Sequence, residues 1–243
     1  MYQTNEAMYI LYIKSLILFI VLNVYSYEEK LLHVHVIYRH GDRAPIELLP
    51  TGLNKTHLWI NGLGELTDIG IRQHFRLGKY LIQRYNYFIN KTYKYKETYV
   101  RSTDKNRTLM SAESNLAGMF HDQSNIIIPD LIWRPVPIHT IPYELDIVMN
   151  TRICPNYIAQ IIKTIKSQRF LPQVQKFQGT LNLLRRVFHK PNMQFKSLNC
   201  IYDTLFCEKN HNITWDSWVT DEIYKNLSTY NDLIWKVSKY YLK

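Results

Sequence analysis

Seven consecutive residues, Arg39-His40-Gly41-Asp42-Arg43-Ala44-Pro45, combine the side chains that handling a phosphate would require. A neutral imidazole at His40 can attack phosphorus. Guanidiniums at Arg39, one residue before it, and Arg43, three after, can hold the non-bridging oxygens through paired hydrogen bonds. Gly41 takes side-chain bulk away from the point where the backbone must pass close to the phosphate. Phosphoryl transfer depends mainly on positioning and on stabilising charge, and a fixed arginine clamp supplies both. A second cluster runs from Arg101-Ser102-Thr103-Asp104 to Ala112. It places an arginine at the end of an extended segment and an acid at a helix start, so Arg101 can converge on the same crevice. Arg107, inside that helix, is expected to pair with a neighbouring acid. Either cluster alone also reads as a basic surface turn, because Arg and His are common in loops. Their combination favours a site.

These residues need elements to position them. Leu31 to Tyr38 is a β-branched and apolar run, interrupted by His33 and His35, that reads as a buried strand delivering Arg39 to a loop. His33 and His35 share one face of such a strand, but with no carboxylate or cysteine cluster nearby they read as structural histidines and not as a metal site. From Thr67 to Phe88, apolar Ile69, Phe75, Leu77, Leu81 and Ile82 alternate with basic residues at helical spacing, entered through the Gly64-Glu65-Leu66-Thr67 turn. Thr98 to Arg101 is a short strand candidate. Asp104 can cap a helix running to about Phe120, and Pro135 and Pro137 make Leu131 to Ile141 extended. The order strand, helix, strand, helix, strand predicts an α/β sheet with ligands at the C-terminal strand edges. Beyond Pro155 only helical periodicity remains, through Ile158, Ile161, Ile162 and Ile165, then Phe177, Leu181, Leu184 and Phe188, then Ile223 and Leu227. The expected organisation is a leader over 1–26, the N-terminal part of an α/β catalytic core over 27–150, and a helical cap over 151–243.

The 243 residues carry a net charge of +10, and a leader of 26 residues would remove one lysine and one glutamate, so the basic balance is intrinsic. Such a surface concentrates anionic partners without naming one. Lys91, Lys94 and Lys96 interleaved with Tyr93, Tyr95 and Tyr99 read as a solvated loop and not as a nucleic-acid platform. Lys14 followed by an apolar run to Val24, with Ser26 at a small-residue position, reads as a cleaved signal peptide too short to span a bilayer. Export agrees with the sequons at Asn54, Asn90, Asn106, Asn212 and Asn226. Cys154, Cys200 and Cys207 form an odd set with no Cys-x-x-Cys, which removes support for zinc-finger and thioredoxin-like chemistry. No Gly-x-Ser-x-Gly, His-Glu-x-x-His or Walker loop is present.

The stretch Arg39 to Pro45 together with Arg101 to Asp104 resembles the histidine acid phosphatases, with further similarity in Gly64–Gly70, Pro135–Thr140 and Ile201–Cys207. The resemblance spans roughly residues 30 to 230. It implies a phosphoglycerate mutase-like sheet flanked by helices with a helical cap. It also implies hydrolysis of a small phosphomonoester or a phosphoprotein at acidic pH, with no metal or organic cofactor. Under it His40 forms the covalent phosphohistidine and Arg39, Arg43 and Arg101 bind the phosphate oxygens. It implies a secreted or lysosomal protein, with no stable membrane span, room for a homodimer, and Asn90 and Asn212 as the foremost glycan sites. Members of the family carry a later His-Asp pair whose acid protonates the leaving alcohol, and further cysteines that Cys154 and Cys207 would bridge. Neither occurs here, and the expectation is a chain that stops before its proton donor and its last sheet strands, and so turns over poorly. The one His-Asp dipeptide, His121-Asp122, follows the wrong helix, and His139 is expected to be structural. Two alternatives stand beside the acid phosphatase: a secreted phosphate-binding protein or venom-type antigen without turnover, and an inositol-phosphate phosphatase.

Overall fold

The structure is a computed structural model describing residues 12–16, 30–121 and 128–240. Apart from a helical turn at 12–16, the expected leader lies outside the described residues, as does Asp122. The chain divides into a short unit, residues 1–38, and a larger one, residues 39–243.

In the short unit, residues 30–38 carry no strand assignment, and Leu32 and Ile37 are exposed, Ile37 at 95%. This corrects the expected buried strand. A β-branched run favours extended backbone, but a strand exists only when a neighbouring chain accepts its ladder, and among the described residues no bridge includes 31–37. The expected sheet is likewise absent among the described residues, where pairing is limited to isolated bridges. One of them, parallel between Arg101 and His139, joins the two later extended segments through Ser102 N–H to His139 O (2.9 Å) and His139 N–H to Val100 O (3.0 Å).

The larger unit is helical. Helix α1, Asp68–Arg84, begins where the Thr67 hydroxyl accepts from Gly70 N–H at 3.3 Å, an N-cap of the expected kind. Helix α2, Asn106–Met119, is entered at Lys105, so Asp104 is not its cap. The Thr108 hydroxyl instead bonds back to Thr103 and Lys105. The two helices cross at glycines. A Cβ on Gly78 would lie 2.0 Å from Asn115 O, and one on Gly118 would lie 2.1 Å from Phe75 O, so the backbones touch with no side chain between them.

Beyond them lie α3, Pro155–Ile165, α4, Leu171–Gln175, α5, Gln178–Val187, α6, Lys196–Asn210, and α7, Asp221–Tyr240. The core sits among the last three. Leu181, Leu184 and Phe188 on or next to α5 meet Leu198, Ile201 and Leu205 on α6 and Ile223, Leu227 and Tyr230 on α7. Complete burial of each such leucine contributes about 1.5–3 kcal/mol, which ties α6 rigidly into this bundle. The isoleucine stripe of α3 behaves differently, with Ile158, Ile162 and Ile165 exposed. No described helix is long and apolar enough to cross a membrane.

Candidate active site

The loop carrying His40 is held by the two crossing helices and the turn before α1, backbone group by backbone group. Arg39 O accepts from His74 Nε2 on α1 at 3.0 Å, Gly41 N–H donates to the Ser111 hydroxyl on α2 at 3.1 Å, and Asp42 N–H donates to Gln73 Oε1 at 2.8 Å. Asp42 O accepts from Thr67 N–H at 3.1 Å, Ala44 N–H donates to Glu65 O at 2.9 Å, and Gly64 N–H donates to Pro45 O at 2.8 Å. Gly41 lies so close to the start of α1 that a Cβ there would sit 2.6 Å from Gly70 O. Loop backbone that would otherwise be loose therefore has fixed partners, which is what a preorganised site requires.

His40 is half-buried, and its Nδ1 lies 2.7 Å from Gly41 O. A carbonyl only accepts, so in the neutral ring Nδ1 carries the proton and Nε2 carries the lone pair. Burial pushes the His40 pKa down to about 4, opposed by the Gly41 hydrogen bond and reinforced by the charges of Arg39, Arg107 and Arg43. The imidazole is thus kept neutral in mildly acidic solution.

Arg43 is pinned by Asp203 on α6, with Nη2 to Oδ1 at 2.7 Å and Nη1 to Oδ2 at 3.0 Å, while Nη1 also donates to Ala44 O. Burial works against its charge, but the Asp203 carboxylate more than offsets it and holds the Arg43 pKa above its ordinary value. Arg101 donates through Nη2 to Asp146 Oδ1 at 2.7 Å, and Asp146 is fully buried, its Oδ1 also taking Met149 N–H at 3.0 Å. Arg39 is exposed.

Arg107 departs from expectation. It donates to Gly64 O at 3.3 Å and, among the described residues, forms no ion pair, although the nearby Glu65 carboxylate favours its charge; it is also one of the three cations whose field reaches His40. Its pKa is lowered by burial and then by Arg43. The first turn of α2 faces the Gly64–Glu65 turn, and that places Arg107 among the cations around His40. Asp203 lies within the family-like stretch Ile201–Cys207 but was not singled out; Ser111 and His74, which meet the loop, and Asp146, which meets Arg101, do so only through the tertiary fold.

His139 is exposed and stacks on Tyr99 with ring centroids 4.9 Å apart, in keeping with a structural role. The three cysteines are free thiols, and burial, with Asp203 beside it, pushes the Cys207 thiol up to about 12, which makes it a poor nucleophile. Among the sequons, Asn54, Asn90, Asn106 and Asn212 are exposed, Asn226 is half-buried, and Asn106 is engaged with Glu65 at 3.2 Å. A cavity of about 550 Å³ bordered by Glu47, Leu49, His189 and Cys200 lies apart from His40, which does not line it.

Residues 30–242 match the family described as the Histidine phosphatase superfamily (branch 2). The chain is 38% identical over 206 residues to the lysosomal acid phosphatase of Xenopus laevis, covering 84% of this chain and 48% of that protein. It is 37% identical over 210 residues to the prostatic acid phosphatase of Homo sapiens, covering 84% and 54%. The chain thus spans about half the length of the curated relatives it matches. Among solved structures it is similar to the Klebsiella sp. ASR1 phytase, with a TM-score of 0.53 and 15% identity over 82% of this chain and 57% of that one. The Citrobacter braakii phytase gives a TM-score of 0.52 at 13% identity, covering 82% and 58%.

Proposed function

Because the chain belongs to the histidine phosphatase superfamily, branch 2, we propose that it serves a phosphomonoesterase in which His40 takes the phosphoryl group. The observation that carries this reading is the His40 ring, neutral by environment and with Nδ1 directed to Gly41 O, which leaves the Nε2 lone pair for phosphorus. In the first step the Nε2–P bond forms as the P–O bond to the alcohol breaks, and the alcohol leaves with a proton from a donor acid. Water then attacks phosphorus, the N–P bond breaks, and inorganic phosphate is released. Arg39, Arg43 and Arg101 bind the non-bridging oxygens, and Arg107 adds to the field that favours an anion there. The loop and its arginines are the part of the α/β architecture that a sheet would present at its strand edges, and the parallel contact of Arg101 with His139 is consistent with that arrangement. The substrate is a small phosphomonoester or a phosphoprotein, since the site as described reads the phosphate and not the alcohol.

A pH profile tests the reading. A nucleophile with a pKa of about 4 stays competent to far lower pH than free imidazole, whose value is 6.5. The acid limb of kcat/KM, which reports the free enzyme, is therefore expected near pH 4. Removing one of the depressing charges by Arg107→Gln should move that limb upward. A limb near 6.5 that Arg107→Gln leaves in place would contradict the assignment. The same shift carries a stability sign: between about 4 and 6.5 the unfolded chain binds the additional proton, so His40 makes stability fall as pH drops through that window.

Entry to the secretory pathway is part of the same proposal, supported by the apolar N-terminal run and by relatives named lysosomal and prostatic acid phosphatases. The protein is expected to lose mass on enzymatic removal of N-glycans, with glycans mapping to the exposed Asn90 and Asn212. An unchanged mass would overturn that part.

A further inference from the structure

Two side chains from α6 and its C-cap reach back to the nucleophile loop: Asp203, which holds Arg43, and His211, which meets Asp42. Its Nε2 lies 2.7 Å from Asp42 Oδ2. A carboxylate accepts, so Nε2 carries a proton toward it. The same oxygen also takes the Thr67 hydroxyl at 2.5 Å. The His211 ring is set edge-on against the buried Trp59, with centroids 4.9 Å apart at 69°, which fixes its plane before Asp42 is met. Asp42 stands between His40 and Arg43 in the sequence, and its backbone N–H and C=O are already engaged by Gln73 and Thr67. Its carboxylate is a further handle on the loop, shared by Thr67 and His211, and His211 grips it from the end of a helix whose other face is locked into the main core.

We infer that His211 is a positioning residue for the proposed phosphoryl transfer, fixing the His40 loop through Asp42. This rests on the reading of His40 as nucleophile. The consequence is specific. Arg43 is held independently by Asp203, so loss of His211 should leave phosphate binding nearly intact while misaligning the imidazole. A near-attack geometry is sensitive to displacements of this kind, and a 1 Å error can cost about 100-fold.

The test compares His211→Leu, which removes the donor, with His211→Gln, which retains an N–H, in the full-length protein. For His211→Leu the rate of covalent phosphate incorporation from a chromogenic monoester should fall about 10- to 100-fold. Inorganic phosphate, as a competitive ligand, should keep its affinity within about threefold, because Arg43 keeps its Asp203 partner. His211→Gln should recover most of the rate, and His211→Leu added to Asp42→Ala should cost little more than Asp42→Ala alone, since the two act on one contact. Hydrogen exchange at the Gly41 and Asp42 amides supplies a reading that needs no turnover: His211→Leu should speed it about tenfold or more while the Leu81 amide is unchanged. If the parent protein forms no phosphoenzyme, the nucleophile assignment fails, and the exchange measurement still decides whether His211 orders the loop. Unchanged exchange at both amides, no rescue by glutamine, or additive losses with Asp42→Ala would overturn the inference.

Discussion

His40→Ala is expected to lower monoester turnover by on the order of 10⁴-fold or more while leaving inorganic phosphate bound with an affinity within about tenfold of the parent. Loss of a covalent nucleophile removes the two-step route altogether, and what survives is the charge stabilisation of the surrounding cations. Those cations do not depend on His40. Arg43 is fixed by Asp203, Arg101 by the buried Asp146, and Arg107 by Gly64 O. The ring is itself only half-buried, and its hydrogen bond goes to the neighbouring Gly41 O and not to a distant element, so the fold should tolerate its truncation. Steady-state turnover alongside phosphate competition checks both halves. Retained turnover would remove His40 from its role, and equal loss of binding and turnover would indicate a collapsed loop instead of a missing nucleophile.

The largest expected effect on stability comes from Gly78→Ala. By helix propensity alone this exchange in the interior of α1 should stabilise by about 1 kcal/mol. Here the new Cβ would lie 2.0 Å from Asn115 O and 2.8 Å from Met119 N, contacts that only a separation of the helices can relieve. Overpacking against backbone outweighs propensity, and a net loss of about 2–4 kcal/mol is expected. Because His74 on α1 and Ser111 on α2 hold Arg39 and Gly41 of the His40 loop, separating the helices should lower activity as well. Gly179→Ala is the control. It lies near the start of α5 with no atom within 4 Å of its added Cβ, so the same chemical change should be neutral or stabilising by up to about 1 kcal/mol. The denaturant midpoint should fall for Gly78→Ala and hold or rise for Gly179→Ala. A Gly78→Ala protein as stable as the parent would show that α1 and α2 do not cross at this contact.

What was legible in the sequence was what is local. Arg39 to Pro45 is contiguous, so its chemistry shows without a fold, and α1 announces itself by period and by the Thr67 cap. The run Leu31 to Tyr38 misled because composition registers a preference for extended backbone, whereas a strand needs a partner that composition does not name. The supports of the site were illegible for a related reason. Asp203 meets Arg43 across 160 residues and His211 meets Asp42 across 169, and an isolated acid or histidine on an amphipathic helix has many ordinary uses. The helix bearing Arg107 and the Gly64–Thr67 turn are each legible in the sequence, but that the one faces the other, and so brings Arg107 near His40, is a tertiary fact. Gly78 and Gly118 look like weak points of two helices until those helices are brought together.

The covalent intermediate tests the central claim most directly. The full-length protein is mixed with a radiolabelled phosphate monoester, quenched within one turnover, and digested, and the bond between label and peptide is examined. The account predicts phosphate that survives alkali and is lost in acid, on the peptide containing His40, absent from His40→Ala and lost on adding water-accessible time before the quench. Turnover without any covalent phosphate, or a label carried by a different residue, would contradict it.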